Sequence, residues 1–303
     1  MPPKFLIYGA NGYVGEAAAR LAVEQGLEPI LAGRNEAKVA TLANELGLEH
    51  RICELDDTDG LDRALRDVPL VVHLAGPYQT TSRPMVEACL RAGAHYLDIT
   101  GEIPVLERLA GRDAEAKANG VMLLPAVGFD VVPTDCLAAH LQRRLPSATR
   151  LTLGFQRVGQ AGLPPGTQRT GIELLPYADV VRRGGRLVAP EPSVATRTMD
   201  FGNGPLEATR ITWGDVFTAY HTTRIPDIEV YTVLSVPARR ALALARRLRP
   251  LFGFASLRAL LRLGVRAGPT AEQRAATVTH VWGEVADDEG RVATAMPATS
   301  RAR

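Results

Sequence analysis

Short β-rich runs alternate with helix-length amphipathic segments up to about residue 130, and no other feature limits the fold as strongly. The strand candidates are Lys4–Tyr8, Glu28–Ala32, His50–Leu55, Leu70–Leu74, His95–Ile99 and Val121–Pro125. Between them Tyr13–Gln25, Glu36–Leu46, Leu61–Arg66, Pro84–Ala92 and Pro104–Ala118 space their apolar residues three and four apart. Asn35 stands at a helix-cap position, while Pro84 and Pro104 suit a first helical turn. Alternation at this pitch calls for a parallel sheet covered by helices on both faces. The fold class expected is α/β, a doubly wound parallel sheet.

The pattern changes after Pro133. Thr134–Leu145 reads as one more helix and Arg150–Arg157 as a strand, and the Gly- and Pro-rich stretch Gly159–Gly171 reads as a loop. Ala195–Met199, Thr209–Trp213, Ile228–Ser235 and Ala276–Val285 read as strands of a second sheet. Ala238–Arg249 and Ser256–Arg266 read as helices parted by Pro250 and Gly253. A chain of 303 residues suits two domains at about 150 residues each. The division expected is 1–133 and 134–303, the latter an α+β domain.

The first strand runs into Gly9-Ala10-Asn11-Gly12-Tyr13-Val14-Gly15. Gly9 permits a tight turn, Gly12 permits close backbone approach to a pyrophosphate, and Gly15 permits the helix to pack on the strand. Phosphates would meet the free amides and positive end of that helix. The spacing is Gly-x-x-Gly-x-x-Gly, and its place in the first strand-to-helix turn gives it weight: a Rossmann-type dinucleotide site formed by Gly9, Asn11, Gly12, Tyr13, Val14 and Gly15. The second strand ends in Gly33-Arg34-Asn35, with Arg34 25 positions after Gly9. A guanidinium there grips a 2′-phosphate, where NAD-specific sites place an acid, so NADP(H) is favoured over NAD(H). A solvated Arg in a polar turn is the plainer reading.

Ligands of open α/β sheets bind beyond the carboxyl ends of the strands. Those ends carry Asp56, Gly76-Pro77-Tyr78, Thr100-Gly101-Glu102 and Gly128-Phe129-Asp130. Asp56 either meets the adenine edge or begins a turn. Gly76 and Pro77 line the nicotinamide side, with Tyr78 either beside them as a reacting group or packed as a loop aromatic. Hydride chemistry needs one proton donor or acceptor near the reacting carbon. No Tyr is followed by Lys at the Tyr-x-x-x-Lys spacing of short-chain reductases, and no His-Glu-x-x-His or similar metal set occurs. The catalytic candidates are therefore Tyr78, Asp98, Glu102 and Asp130. Asp98 and Glu102 either approach the cofactor as a carboxyl pair or serve helix starts, and Asp130 either holds a proton or organises a turn. His73, inside an apolar strand, reads as a core residue.

Four segments resemble the saccharopine dehydrogenase-like oxidoreductases: Tyr8–Gly15, Ala32–Asn35, Gly76-Pro77-Tyr78 through Val86-Glu87-Ala88-Cys89 to His95–Glu102, and Gly128–Asp135. Within that family the chain is also similar to the trans-acting enoyl reductases of lipid biosynthesis. The resemblance covers residues 4 to about 140, and more loosely Val281–Val285. It implies an NAD(P)-binding domain followed by an inserted substrate domain. It also implies a reductase of an unsaturated or carbonyl acyl intermediate. An amino-acid dehydrogenase and a non-catalytic NADP-binding, membrane-associated protein are the alternatives. Members of the family continue past the Trp-Gly-Glu strand, whereas Arg291–Arg303 shows no helix or strand pattern and reads as a truncated end.

Formal net charge is +2, which argues against a dedicated nucleic-acid binder. The charge is uneven: no acid lies between Glu229 and Glu272, an interval holding eight Arg. Arg239, Arg240, Arg246 and Arg247 fall on one side of a helix with Ala241, Leu244 and Leu248 opposite, and Arg258, Arg262 and Arg266 form a stripe. This basic hairpin, residues 238–266, is either a solvated face or a dock for an anionic membrane surface or an acidic acyl carrier protein. A homodimer is also allowed. Cys53, Cys89 and Cys136 are too few and too scattered for a disulfide framework and read as small buried residues. With no signal peptide or membrane span, the expected location is cytoplasmic, with peripheral attachment at the inner membrane face admitted.

Overall fold

The computed structural model describes residues 4–159, 161–190, 195–297 and 300–301. The chain forms two compact units, Met1–Gly128 and Phe129–Arg303. In the first, β1 (Leu6–Tyr8), α1 (Tyr13–Glu24), β2 (Ile30–Gly33), α2 (Glu36–Leu46), β3 (His50–Ile52) and α3 (Thr58–Ala64) follow in order. Then come β4 (Leu70–His73), α4 (Tyr78–Ala92), β5 (His95–Asp98), α5 (Ile103–Ala110), α6 (Asp113–Ala118) and β6 (Leu123–Leu124). The strands form one parallel sheet in the order β3-β2-β1-β4-β5-β6.

This is a Rossmann-type doubly wound sheet, and its strands show why. Successive residues of a strand point to opposite faces. Leu6, Tyr8, Ile30, Ala32 and Val71 enter one core with α3, α4 and α5, while Ile7 and Leu31 enter another with α1 and α2. Both faces are covered, which is why the runs read as nearly continuous apolar segments.

The second unit begins with α7 (Val132–Arg144), β7 (Arg150–Val158), α8 (Pro165–Leu174), β8 (Val181–Arg183), β9 (Arg186–Val188), β10 (Thr196–Asp200) and β11 (Pro205–Ile211). It continues with α9 (Asp215–Thr223), β12 (Asp227–Val233), α10 (Val236–Arg247), a 3-10 turn (Arg249–Gly253), α11 (Ala255–Arg262), α12 (Ala271–Ala275), β13 (Val278–Ala286), β14 (Val292–Ala295) and β15 (Ser300–Arg301). Its mixed sheet runs β10-β11-β12-β7-β13-β14, with β8 joined to β12, β9 to β8, and β15 to β13. The pair β12–β7 is parallel and the others are antiparallel. α7 lies on β13, where a Cβ on Gly283 would come within 2.7 Å of Leu141.

Several sequence expectations are corrected. Pro84 lies inside α4, which starts six residues earlier at Tyr78. Its polar first turn, Gln79-Thr80-Thr81, hid the helix. The segment Pro104–Ala118 is two helices, broken at Gly111-Arg112, although Pro104 does occupy the first turn of α5. The stretch Gly159–Gly171 contains the start of α8, with Pro165 at its first position. Cys53 and Cys89 are buried, whereas Cys136 is exposed.

The end of the chain is also corrected. Residues 292–295 form β14, hydrogen-bonded to β13 from Gly283↔Ala295 to Ala286↔Val292. Arg144 donates to the Thr294 carbonyl at 2.8 Å. At the turn between them the Asp287 carboxylate accepts from Ser147 Oγ at 2.8 Å, the Arg291 amide at 2.9 Å and Arg291 Nε at 2.6 Å. The small residues Ala293, Thr294 and Ala295 carry too little apolar contrast to reveal the strand beforehand. No helix among the described residues is long and apolar enough to cross a membrane.

Candidate functional site

Strand order reverses between β1 and β4, so the loops after these two strands leave a crevice at the carboxyl end of the sheet. The loop after β1 turns at Gly9, whose φ of +84° favours glycine. A Cβ there would fall 2.9 Å from Ala75 Cβ, so the β1 and β4 loops touch. Gly15 is tighter: its Cβ would sit 2.1 Å from the Gly9 carbonyl oxygen. The helix α1 therefore leaves directly over the strand that feeds it. Gly12 is its N-cap and has no side chain to offer the amides of Tyr13, Val14 and Gly15.

The neighbouring helices differ. Asn35 caps α2 by accepting from the Lys38 amide at 3.0 Å, and Asp57 caps α3 by accepting from the Gly60 amide at 2.9 Å. The start of α4 is capped across the fold: Glu102 accepts from the Tyr78 and Gln79 amides, each at 2.9 Å. Among α1 to α4, α1 alone presents a positive end without a side-chain cap; α5 also lacks one, but it does not start at the β1/β4 reversal. Beside it, Asn11 Oδ1 lies over Gly33, and Arg34 follows, exposed and without an ion pair among the described residues. Asp56 is exposed after β3, the turn being organised by Asp57 next to it.

The acids after β5 are deeply placed. Asp98 is fully buried and accepts from the Thr100 amide at 2.9 Å, the Ala126 amide at 2.9 Å and the Tyr96 hydroxyl at 2.7 Å. Burial raises its pKa, and these three donors oppose the rise. Its bond to Ala126 holds that residue at φ +63°, a left-handed conformation. Thr100 Oγ1 accepts from the Glu102 amide at 3.1 Å, which sets Glu102 in place to cap α4. Gly76 and Pro77 form the link between β4 and α4. Tyr78 is buried and donates from its hydroxyl to the His73 carbonyl at 3.3 Å. The His73 ring sits among Tyr8, Tyr78 and Tyr96, with centroids 5.5, 5.6 and 6.0 Å away. Burial pulls its pKa down to about 3, so it is neutral.

Asp130 belongs to the second unit. Its backbone carbonyl accepts from Trp213 Nε1 at 2.6 Å, and burial raises its carboxyl pKa against the pull of Arg157. Asp215 was not singled out from the sequence. It is fully buried at the start of α9, and its pKa is pushed well up by burial, against Thr134 and with Asp135 and Asp130 adding to the rise. Only packing of α9 on α7 makes this acid unusual, so Trp213-Gly214-Asp215 gave no local signal. Among the described residues no group of three His, Cys, Asp or Glu side chains is placed to hold a metal ion.

Comparison with known proteins bears directly on this crevice. The profile of the saccharopine dehydrogenase NADP binding domain matches residues 5–124. The first unit is therefore similar to the saccharopine dehydrogenase NADP binding domain over nearly its whole length. The chain is 31% identical over 156 residues to a saccharopine dehydrogenase-like oxidoreductase of Rattus norvegicus, covering 44% of this chain and 36% of that one. It is 30% identical over 148 residues to a trans-acting enoyl reductase of Mycobacterium leprae, covering 46% of this chain and 35% of that one. These matches span little more than a third of the relatives' own length. Apo saccharopine dehydrogenase (L-Glu forming) from Saccharomyces cerevisiae shares the fold, with a TM-score of 0.63 over 99% of this chain and 86% of that one at 12% identity. The geometry of the first unit fits a dinucleotide. The uncapped start of α1, the Gly9 and Gly15 contacts and the exposed Arg34 lie at one end of the sheet.

Proposed function

We propose that this chain is an NADP(H)-dependent oxidoreductase that reduces an unsaturated or carbonyl acyl intermediate. The observation that carries the reading is the uncapped N-terminus of α1 at the β1/β4 reversal, flanked by the unpaired Arg34. The amides after Gly12 bind the pyrophosphate, and Arg34 binds the 2′-phosphate. A bound nicotinamide supplies the hydride. Gly76 and Pro77 line its side of the crevice, and Tyr78 is held beside them by the Glu102 cap. Asp98 and Glu102 act as positioning residues: Glu102 accepts from two backbone amides, and Asp98 from two backbone amides and the Tyr96 hydroxyl. Burial raises the carboxyl pKa of Asp130, a catalytic candidate from the sequence, in the direction a proton donor requires. The acyl substrate is favoured by similarity to the enoyl reductase. A cytoplasmic location fits three cysteines too scattered to form a framework.

Two titrations and one assay test this. Arg34→Ala weakens NADPH binding by about 10- to 100-fold, the worth of a charged hydrogen-bonded contact, and leaves NADH binding nearly unchanged. Equal losses for both cofactors overturn the NADP preference. NADPH oxidation with an enoyl or ketoacyl thioester supports the substrate class, whereas NADP+ reduction by an amino acid replaces it with the dehydrogenase alternative. Asp130→Asn lowers turnover and leaves NADPH affinity intact.

A further inference from the structure

The arginine-rich hairpin turns much of its apolar surface outward. α10, the 3-10 turn after it and α11 contain no buried residue. Arg239 pairs with Glu207, while Arg246 and Arg249 both reach Asp179, at 2.8 and 2.9 Å. Arg258 and Arg262 both reach Glu173, at 3.4 and 2.5 Å. These five guanidiniums hold the hairpin to the second unit. Leu242, Phe252 and Leu257 are half-buried, but most of the large apolar residues turn outward: Leu263 is 82% exposed, Phe254 64%, Leu260 63% and Leu244 57%, with Val236, Leu248 and Leu251 also exposed.

This corrects the grouping expected from the sequence. Arg239 and Arg246 share the inward face of α10, whereas Arg240 and Arg247 follow Val236 and flank Leu244 at helical spacing on the outward face. Arg240, Arg247 and Arg266 are exposed and form no ion pair among the described residues. A surface helix ordinarily sends leucines in and charges out, and a run of exposed apolar residues marks an interaction surface.

Charge selects the partner. No acid lies between Glu229 and Glu272, so the hairpin itself offers an anionic surface no carboxylate, only apolar side chains and guanidiniums as its large groups. A lipid leaflet takes protruding side chains without needing a matching pocket for each, and arginines remain at phosphate level while their neighbours enter the acyl boundary. We propose that this hairpin docks the protein onto an anionic membrane surface, with Phe254, Leu260 and Leu263 entering the acyl boundary and Arg240, Arg247 and Arg266 contacting lipid phosphates. The docking is independent of which substrate the nucleotide-binding unit serves.

Vesicle flotation of the full chain tests it, with phosphatidylcholine alone and with added phosphatidylglycerol. The chain floats with the anionic vesicles. Joint replacement Arg240→Gln, Arg247→Gln and Arg266→Gln lowers that affinity about a hundredfold, roughly fivefold for each Arg near the surface. Leu260→Gln with Leu263→Gln removes flotation without changing the circular dichroism spectrum or the melting temperature. In a Cys136→Ser background, a polarity-sensitive dye on Leu263→Cys shifts to the blue when anionic vesicles are added. Failure to float, or a dye that reports water throughout, overturns the proposal. So does a concentration-dependent dimer dispersed by Leu263→Gln in a chain that ignores vesicles, because a second copy then covers the face.

Discussion

At Gly15 a Cβ would overlap the Gly9 carbonyl oxygen, which is backbone and has no rotamer with which to yield. Gly15→Ala is expected to lower stability by about 3 kcal/mol, at the upper end of overpacking costs, and urea unfolding measures it. His73 makes a different demand. Its pKa is about 3 in the fold, and the unfolded imidazole takes up a proton near 6.5. Its contribution is thus complete above about pH 6.5 and is lost as pH falls towards 3, at up to about 1.4 kcal/mol per pH unit. The difference between wild type and His73→Phe should carry this slope in unfolding titrations from pH 7 to 4, and parallel curves would refute it. The glycines were legible because steric demands are local. The neutral state of His73 was partly legible, since an apolar strand already implies burial, but the three surrounding tyrosines come from β1, α4 and β5.

Helix starts show how far local signals reach. Asn35 caps the helix it precedes, and the expected range Glu36–Leu46 is the range observed. The start of α4 was hidden because its cap, Glu102, arrives from 24 residues away. Glu102→Ala should cost about 1–2 kcal/mol and expose the Tyr78 and Gln79 amides to hydrogen exchange. At the turn from β13 to β14, burial pushes the Asp287 pKa upward, but hydrogen bonds from Ser147 and Arg291 hold it at about 2. That is below the value of an unfolded Asp, so its stabilisation is present above about pH 4 and is lost as pH falls towards 2. Protection factors at Val292–Ala295 should fall over that interval, and Asp287→Asn should remove the acid-dependent part. The hairpin was legible as two basic helices, but not its facing. The acids that draw Arg239, Arg246 and Arg258 inward lie in β11, in the loop after α8 and in α8 itself.

Across the whole molecule the division of labour follows the two sheets. The parallel sheet of the first unit was readable because its central strands are buried on both faces and largely apolar, the edge strand β3 being the exception. The mixed sheet of the second unit was only half readable, since β8, β9 and β14 have short, weakly alternating sequences. NADPH at about a hundred times its dissociation constant should add about 2.7 kcal/mol of stability. Hydrogen exchange should place the protection at the first turn of α1 and leave α10 and α11 unchanged. Protection spread evenly over both units would contradict a nucleotide site confined to the first. The anchoring of the hairpin has one more consequence. Asp179 and Glu173 each serve two arginines, so either acid still has a partner after losing one arginine. The reverse loss strands two cations at once. Mutational tolerance is therefore lopsided, with redundancy among the abundant arginines and fragility concentrated in two carboxylates.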